Sequence, residues 1–350
     1  MGTIWFWLVA IMLALYVVLD GFDLGVGILS AFLARSEEDR RTLVRSIGPV
    51  WDGNEVWLLA GGGTLYFAFP LLYASSFSGF YLPLMIVLWL LVGRGIAIEL
   101  RTHFDLGIWQ DFFDGIFAFS SALLAIFFGA ALANVIRGVP IGPDNYFFLP
   151  LWTNLRTGPY PGILDWYTIL GGILALVALT QHGALYLTLK TDGEVQERAR
   201  LTAKLLWAPL VTLTILSLIA TIFVQRASLT NYTQHPVGFV IPLAVVAGLG
   251  SSLWFTITEK DFHSFAASTV YLAAMLLGAA FALYPNLMPS TLNPAYSISI
   301  SRAMAGHHGL SFGLLWWGFG MALAAGYFVF VYWMFRGRVR PSSAHRQRPA

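Results

Sequence analysis

Asp20, Asp23, Asp52, Glu55 and Arg94 fall in or at the ends of long apolar stretches, and Trp51 stands beside Asp52. A charge inside a bilayer costs about 2.5–3.5 kcal/mol on insertion scales, so residues of this kind are functional candidates by default. Asp20 and Asp23 are three residues apart, as are Asp52 and Glu55, so each pair shares a helix face. Carboxylates grouped with an arginine near one membrane edge suit the entry of protons into a membrane protein. The arginine would hold one carboxylate ionised and ordered while another exchanges protons with water. Two structural readings fit the same residues. Asp52 could cap a helix beside Pro49 while Arg94 snorkels to the interface. Alternatively, the group could be a static ion-pair network that fixes helix packing.

The elements that must position these residues are set by composition. Of 350 residues, 57% are hydrophobic and 11% are charged, against about 25% charged in an ordinary soluble domain. Mean hydropathy is +0.70. That much charge cannot coat a water-soluble globule, which excludes a cytosolic enzyme, a disordered chain and a nucleic-acid-binding module. A net charge of +2 implies no polyanionic partner. The chain has no cysteine, and therefore no disulfide, thiolate metal site or iron–sulfur cluster. The apolar runs are continuous rather than alternating, which points to helices and not to a β-barrel.

Nine segments are predicted to cross the membrane: 4–33, 52–73, 76–98, 112–136, 163–189, 203–224, 237–257, 265–285 and 309–335. Residues 1–335 form one transmembrane domain, and 336–350 form a basic cytoplasmic tail. The loops 137–162 and 284–308 are long and rich in Pro. Lys and Arg concentrate in the loops after odd-numbered segments and in the tail, which places the C-terminus in the cytoplasm and Met1 outside. At 1.5 Å per residue, Asp23 lies about 29 Å down the first segment and Arg94 about 27 Å down the third. Asp52 opens the second segment from the same inner side. The three segments therefore bring two carboxylates and one guanidinium to a similar depth.

Other chemistry is poorly supplied. Gly21-x-x-x-Gly25 and Gly61-Gly62-Gly63 suit close helix approach; no phosphate-binding loop follows any of these glycines. Haem in a bundle needs axial His or Met within apolar helices. Of the 7 histidines only His182 falls inside a segment, and no facing partner is visible. His182 reads better as a buried hydrogen-bonding residue than as a titrating group. No metal site is expected. A proton-coupled secondary transporter is the alternative reading, since paired carboxylates and an arginine could couple substrate to protons. Transporters commonly hold their charges near midplane between two related halves. Here the charges cluster near one face in the first three segments.

Several motifs resemble subunit II of the cytochrome bd-type quinol oxidases. Asp20-Gly21-Phe22-Asp23-Leu24-Gly25-Val26-Gly27 is similar to a signature of that family. So is the run from Gly48 through Trp51, Asp52 and Glu55 to Trp57, followed by Gly61-Gly62-Gly63. Ser75 to Tyr81, Gln181 to Leu187, Lys190 to Glu194 and Tyr284 to Ser290 extend the likeness along the whole chain. The resemblance implies an all-α polytopic membrane protein of about nine transmembrane helices, arranged as two four-helix bundles plus one peripheral helix. It implies a bacterial or archaeal cytoplasmic membrane. The implied complex takes electrons from quinol, reduces O2 to water with cytoplasmic protons, and builds a proton-motive force without pumping. Haem b and haem d (or a further haem b) are implied in subunit I, with none bound by this chain alone. Some family members hold a structural quinone in subunit II, and some complexes add a small single-helix accessory subunit. The implied proton entry uses Asp23, Trp51, Asp52 and Arg94, with Asp20 and Glu55 as weaker candidates. Glu55 stands where other members often have a neutral amide, and His182 interrupts a stretch that elsewhere reads Gln-Gly-Ala.

Overall fold

The first apolar run has no proline and no interior break, and it folds as one helix, α1, Gly2–Leu33. Its 32 residues reach about 48 Å, well beyond a hydrocarbon core of about 30 Å. In this computed structural model residues 1–339 are described, so the predicted tail from 340 onward lies outside them. After α1 the chain becomes polar. Ser36 accepts a hydrogen bond from the Asp39 amide and caps α2, Glu37–Ile47. Glu37, Glu38 and Asp39 in its first turn and Arg45 in its last complement the helix dipole.

The remaining helices are α3, Trp51–Ala68; α4, Pro70–Gly79; α5, Tyr81–Leu100; α6, Gly107–Arg137; α7, Trp166–Lys190; α8, Gly193–Val224; α9, Thr230–Gln234; α10, Val240–Ile257; α11, Asp261–Leu283; α12, Ile300–Ala303; and α13, His307–Met334. Among the described residues, 8 helices are long and apolar enough to cross a membrane. The expected second crossing is α3, of 18 residues, continued by α4, of 10. Here the structure differs from the boundaries read off the sequence. Segments at 52–73 and 76–98 become helices ending at Ala68, Gly79 and Leu100. Pro70, at the first position of α4, has no amide hydrogen to donate back into α3, so the chain breaks at Phe69.

α1, α3, α5 and α6 pack as one bundle and α7, α8, α10 and α11 as another, joined through α1, α6 and α7. α13 is peripheral: its most apolar stretch is unburied, though it touches the first bundle through Trp5–Trp317 and Trp57–Phe328 ring contacts. Outside the bundles, β1 (Asn286–Met288) pairs antiparallel with β2 (Ile298–Ser299). Val139 bridges to Ser290, so the two long loops cover the bundle ends together.

The bundles meet where α1 crosses α7 at Gly25 and Gly183. A Cβ on Gly25 would fall on the Leu179 carbonyl oxygen and 2.7 Å from Gly183 Cα. Backbone cannot move aside as a flexible side chain can. Gly25→Ala is therefore expected to destabilise the chain by at least the 1–3 kcal/mol typical of overpacking, roughly. Membrane accumulation of the variant measures it. Gly62→Ala, with open space around its Cβ, is the control expected to accumulate normally.

Candidate functional site

The half of the first bundle nearer α2 holds the intramembrane charges. Asp20, Asp23 and Arg94 are each 0% exposed. Arg94 forms a bidentate pair with Asp20: Nη1 donates to Oδ2 at 2.8 Å and Nη2 to Oδ1. The pairing exists because α1 and α5 both pack on α6, which turns the Arg94 face of α5 toward α1. Arg94 does not snorkel to the interface. Asp20, the weaker candidate by sequence, is thus its direct partner.

Asp23 lies one turn further along α1 and has different company. Its Oδ2 accepts from Asn54 Nδ2 at 2.7 Å. Asn54 Nδ2 also reaches Leu19 O at 3.2 Å, and its Oδ1 accepts from the Tyr332 hydroxyl at 2.8 Å. The peripheral helix α13 therefore fixes which way the Asn54 amide faces, and so keeps its NH2 toward Asp23. Tyr332→Phe is expected to cost about 1 kcal/mol, the net worth of one hydrogen bond, and to loosen α13 from α3. Thermal unfolding of the purified complex reads the loss.

Trp51 and Asp52 open α3. Trp51 is buried, and its ring lies against Gly95, the neighbour of Arg94: a Cβ there would be 3.5 Å from the indole. Asp52 is exposed on the outer face of α3 and Glu55 is half-buried. Val50 is the N-cap residue of α3, and no side chain caps it, so Asp52 is not a structural cap. The structure therefore places Asp20 with Arg94, Asp23 with Asn54 and Tyr332, and Asp52 with Glu55 at the edge.

Among the described residues, buried polar atoms without a hydrogen-bonding protein partner concentrate in this bundle: Tyr16 Oη, Asp23 Oδ1, Trp57 Nε1, Arg94 Nε and Ser121 Oγ. Each such atom, left dry, costs roughly 1–3 kcal/mol, so water is the physical way to satisfy them. In the second bundle His182 is fully buried and bonded at both nitrogens, to Val18 O at 3.0 Å from Nε2 and to Ser268 Oγ at 2.7 Å from Nδ1. That is the hydrogen-bonding role expected of it.

Two clusters escaped the sequence reading. Arg101, at the C-terminal end of α5, holds Glu37 of α2 (Nη2 to Oε2, 2.8 Å) and Asp114 of α6 (Nε to Oδ1, 2.6 Å). Its hydrogen bond to Glu37 holds that carboxyl below the usual range. At the opposite end of the bundles Arg137 joins Asp165, the cap of α7, and donates from Nη2 to Asn134 Oδ1 at 2.7 Å. Arg101 and Arg137 both fall just beyond the predicted segments 76–98 and 112–136, and only the fold shows that they tie helix ends together. Among the described residues no group of His, Cys, Asp and Glu is arranged to hold a metal ion.

An all-α membrane protein of two four-helix bundles, with buried carboxylates in one of them, matches known proteins on every comparison. Residues 1–335 match the family model for cytochrome bd terminal oxidase subunit II. The chain is 34% identical over 309 residues to cytochrome bd ubiquinol oxidase subunit 2 of Bacillus subtilis, covering 88% of this chain and 87% of that one. It is 34% identical over 319 residues to cytochrome bd-I ubiquinol oxidase subunit 2 of Escherichia coli, covering 82% of each. A chain of the bd oxidase structure from Geobacillus thermodenitrificans shares the fold, with a TM-score of 0.74 at 17% identity over 95% of this chain and 98% of that one. The chain belongs to the cytochrome bd terminal oxidase subunit II family. Family membership, with the charges gathered near one face, leaves the transporter alternative without support.

Proposed function

We propose that this chain is the non-haem-ligating subunit II of a membrane quinol:dioxygen oxidoreductase. It stabilises a haem-bearing subunit I and supplies a cytoplasmic proton-entry path for the reduction of O2 to water. The observation that carries the path is the sequence of sites from edge to interior: exposed Asp52 and half-buried Glu55 at the rim, then buried Asp23 with one free oxygen, then the Asp20–Arg94 pair. Asp52 takes protons from the cytoplasmic side. Asp23, oriented by Asn54, carries a carboxylate oxygen that no other described residue hydrogen-bonds. Arg94 holds Asp20 in a bidentate pair and sets the local field. Trp51 closes the packing beside Arg94 and limits how far water spreads.

The stabilising role is supported by the outward face of α3. Asp52, Val56, Leu59, Gly63 and Tyr66 line one exposed stripe, at the i, i+4, i+7 spacing of a helix face. An exposed apolar stripe that begins at a rim carboxylate suits a protein partner better than lipid alone. Subunit I is that partner, and it holds haem b and haem d (or b). Quinol and O2 are substrates of the complex. A structural quinone and a small single-helix accessory subunit are compatible additions, and neither has a place assigned to it here. Charge separation across the complex builds the proton-motive force. Met1 faces outside and the C-terminus faces the cytoplasm of a bacterial or archaeal cell. Residues 1–335 act as a single transmembrane domain, with 336–350 as a basic cytoplasmic tail.

A mild-detergent pull-down of the chain from its native membrane tests this reading, with a reduced-minus-oxidised spectrum of the product. A larger haem-bearing second subunit and quinol-dependent oxygen uptake are the expected result. A haem-free chain that purifies alone, intact and monodisperse, would contradict it.

A further inference from the structure

Where α7 ends at Lys190 and α13 ends at Met334, the chain after α13 folds back. Val339 N donates to Lys190 O at 2.8 Å, tying the strap 335–339 to α7. A cavity of about 260 Å³ lies under this strap, closed on its other side by the α2–α3 turn. Arg45, Lys190 and Arg338 line it together with Pro49, Tyr186 and Phe335, and among the described residues no carboxylate does. The cations are unevenly satisfied. Arg338 is paired with Asp192 at 2.6 Å and Asp261 at 3.2 Å. Lys190 Nζ donates to a single carbonyl, Phe335 O. Neither Lys190 nor Arg45 has an ion-pair partner among the described residues, and Arg45 is exposed at the mouth. Two positive charges facing one small cavity repel each other unless an anion lies between them. Lys190 has two further N–H donors to offer such an anion.

The depth of the cavity narrows the choice of anion. Two apolar helices end beside it, which is the level of lipid headgroups. Trp333, exposed one residue before the end of α13, carries Arg336 over its ring at 4.9 Å. An amphipathic aromatic with a basic neighbour is characteristic of that level. The cavity is basic at the rim and apolar on its floor, as basic pockets between transmembrane helices that take anionic headgroups are. We infer that this cavity binds a phosphate-ester anion, held by Arg45 and Lys190, and that an anionic phospholipid headgroup supplies it. The occupant bridges the α2–α3 turn, α7 and the strap after α13, and so pins the peripheral helix to the body of the chain. None of the residues assigned to the proton path lines the cavity, and its test does not use turnover.

The test is a thermal-shift titration of the delipidated complex containing the full chain. The probes are phosphatidylglycerol in mixed micelles, phosphatidylcholine in the same micelles, and inorganic phosphate. Phosphatidylglycerol is expected to stabilise the wild type at concentrations where phosphatidylcholine does nothing. Arg45→Gln and Lys190→Gln are each expected to raise the midpoint concentration about fivefold, the effect of removing one surface cation from an anionic lipid. Arg35→Gln removes an exposed charge that does not line the cavity and is expected to leave the midpoint unchanged. Stabilisation by inorganic phosphate, with the same dependence on Arg45 and Lys190, would assign the site to a free phosphate. Should Lys190→Gln fail to accumulate, Arg45→Gln, an exposed position, decides alone. Identical titrations for wild type and Arg45→Gln, or an equal loss with Arg35→Gln, would overturn the assignment.

Discussion

Arg94→Ala is expected to abolish accumulation of the assembled complex. The substitution leaves the Asp20 carboxyl 0% exposed and without the two hydrogen bonds that Arg94 provides. Removing one partner of a buried ion pair costs roughly 3–5 kcal/mol, because the remaining charge is uncompensated. That is a large share of the stability of most folded proteins, about 5–15 kcal/mol. The paired change Arg94→Met with Asp20→Leu removes both charges and fills the space with apolar atoms. Replacements of that kind are often neutral or stabilising, so the double variant is expected to recover most of the accumulation. Quantifying the complex in membranes, and its thermal midpoint, separates the two. A fully stable Arg94→Ala complex would show that the pair does not hold α1 to α5.

Asp52→Asn is expected to leave assembly and haem content intact and to lower quinol-dependent oxygen uptake on the order of a hundredfold. The figure is the lower end of what a positioned proton-transfer group contributes. Asp52 caps no helix and is not packed within this chain, and Asn has nearly the same shape, so the packing of α3 is expected to be unchanged. Asp23→Asn is the interior counterpart. An amide oxygen can still accept from Asn54 Nδ2, now 2.7 Å from Asp23 Oδ2, so packing survives while the exchangeable proton is lost. Oxygen uptake is expected to fall similarly. Loss of haem from either variant would instead favour a static network that only fixes helix packing.

Much of this arrangement was legible in the sequence. The long apolar runs gave the helices, and the charges within them marked the first bundle. An arginine at that depth requires a carboxylate, and the depth estimate brought the right segments together. Which carboxylate it meets was not legible. Asp20 and Asp23 are one turn apart on α1, and the choice depends on how α5 is rotated on α6. The low-amphipathicity faces of a chain buried in lipid and protein give no period from which to read that rotation. Tyr332 is separated from Asn54 by 278 residues and sits in an aromatic-rich helix, where it resembles any interfacial tyrosine. Pro70 was visible, but a proline at the first position of a helix is compatible with helix on its far side. Apolarity alone therefore ran the second segment through the break at Phe69. Arg101 falls beyond the end of the predicted segment 76–98, and its two carboxylates come from α2 and α6, which only the fold brings beside it.

The most direct measurement of proton entry starts from the fully reduced complex mixed with O2. A pH-sensitive dye follows proton uptake while the haem spectrum follows the oxygen reaction. In Asp52→Asn, oxygen is expected to bind at the wild-type rate, with proton uptake and the electron transfer that depends on it slowed together. Proton uptake at the wild-type rate, in an Asp52→Asn complex with its full haem content, would contradict entry through this residue.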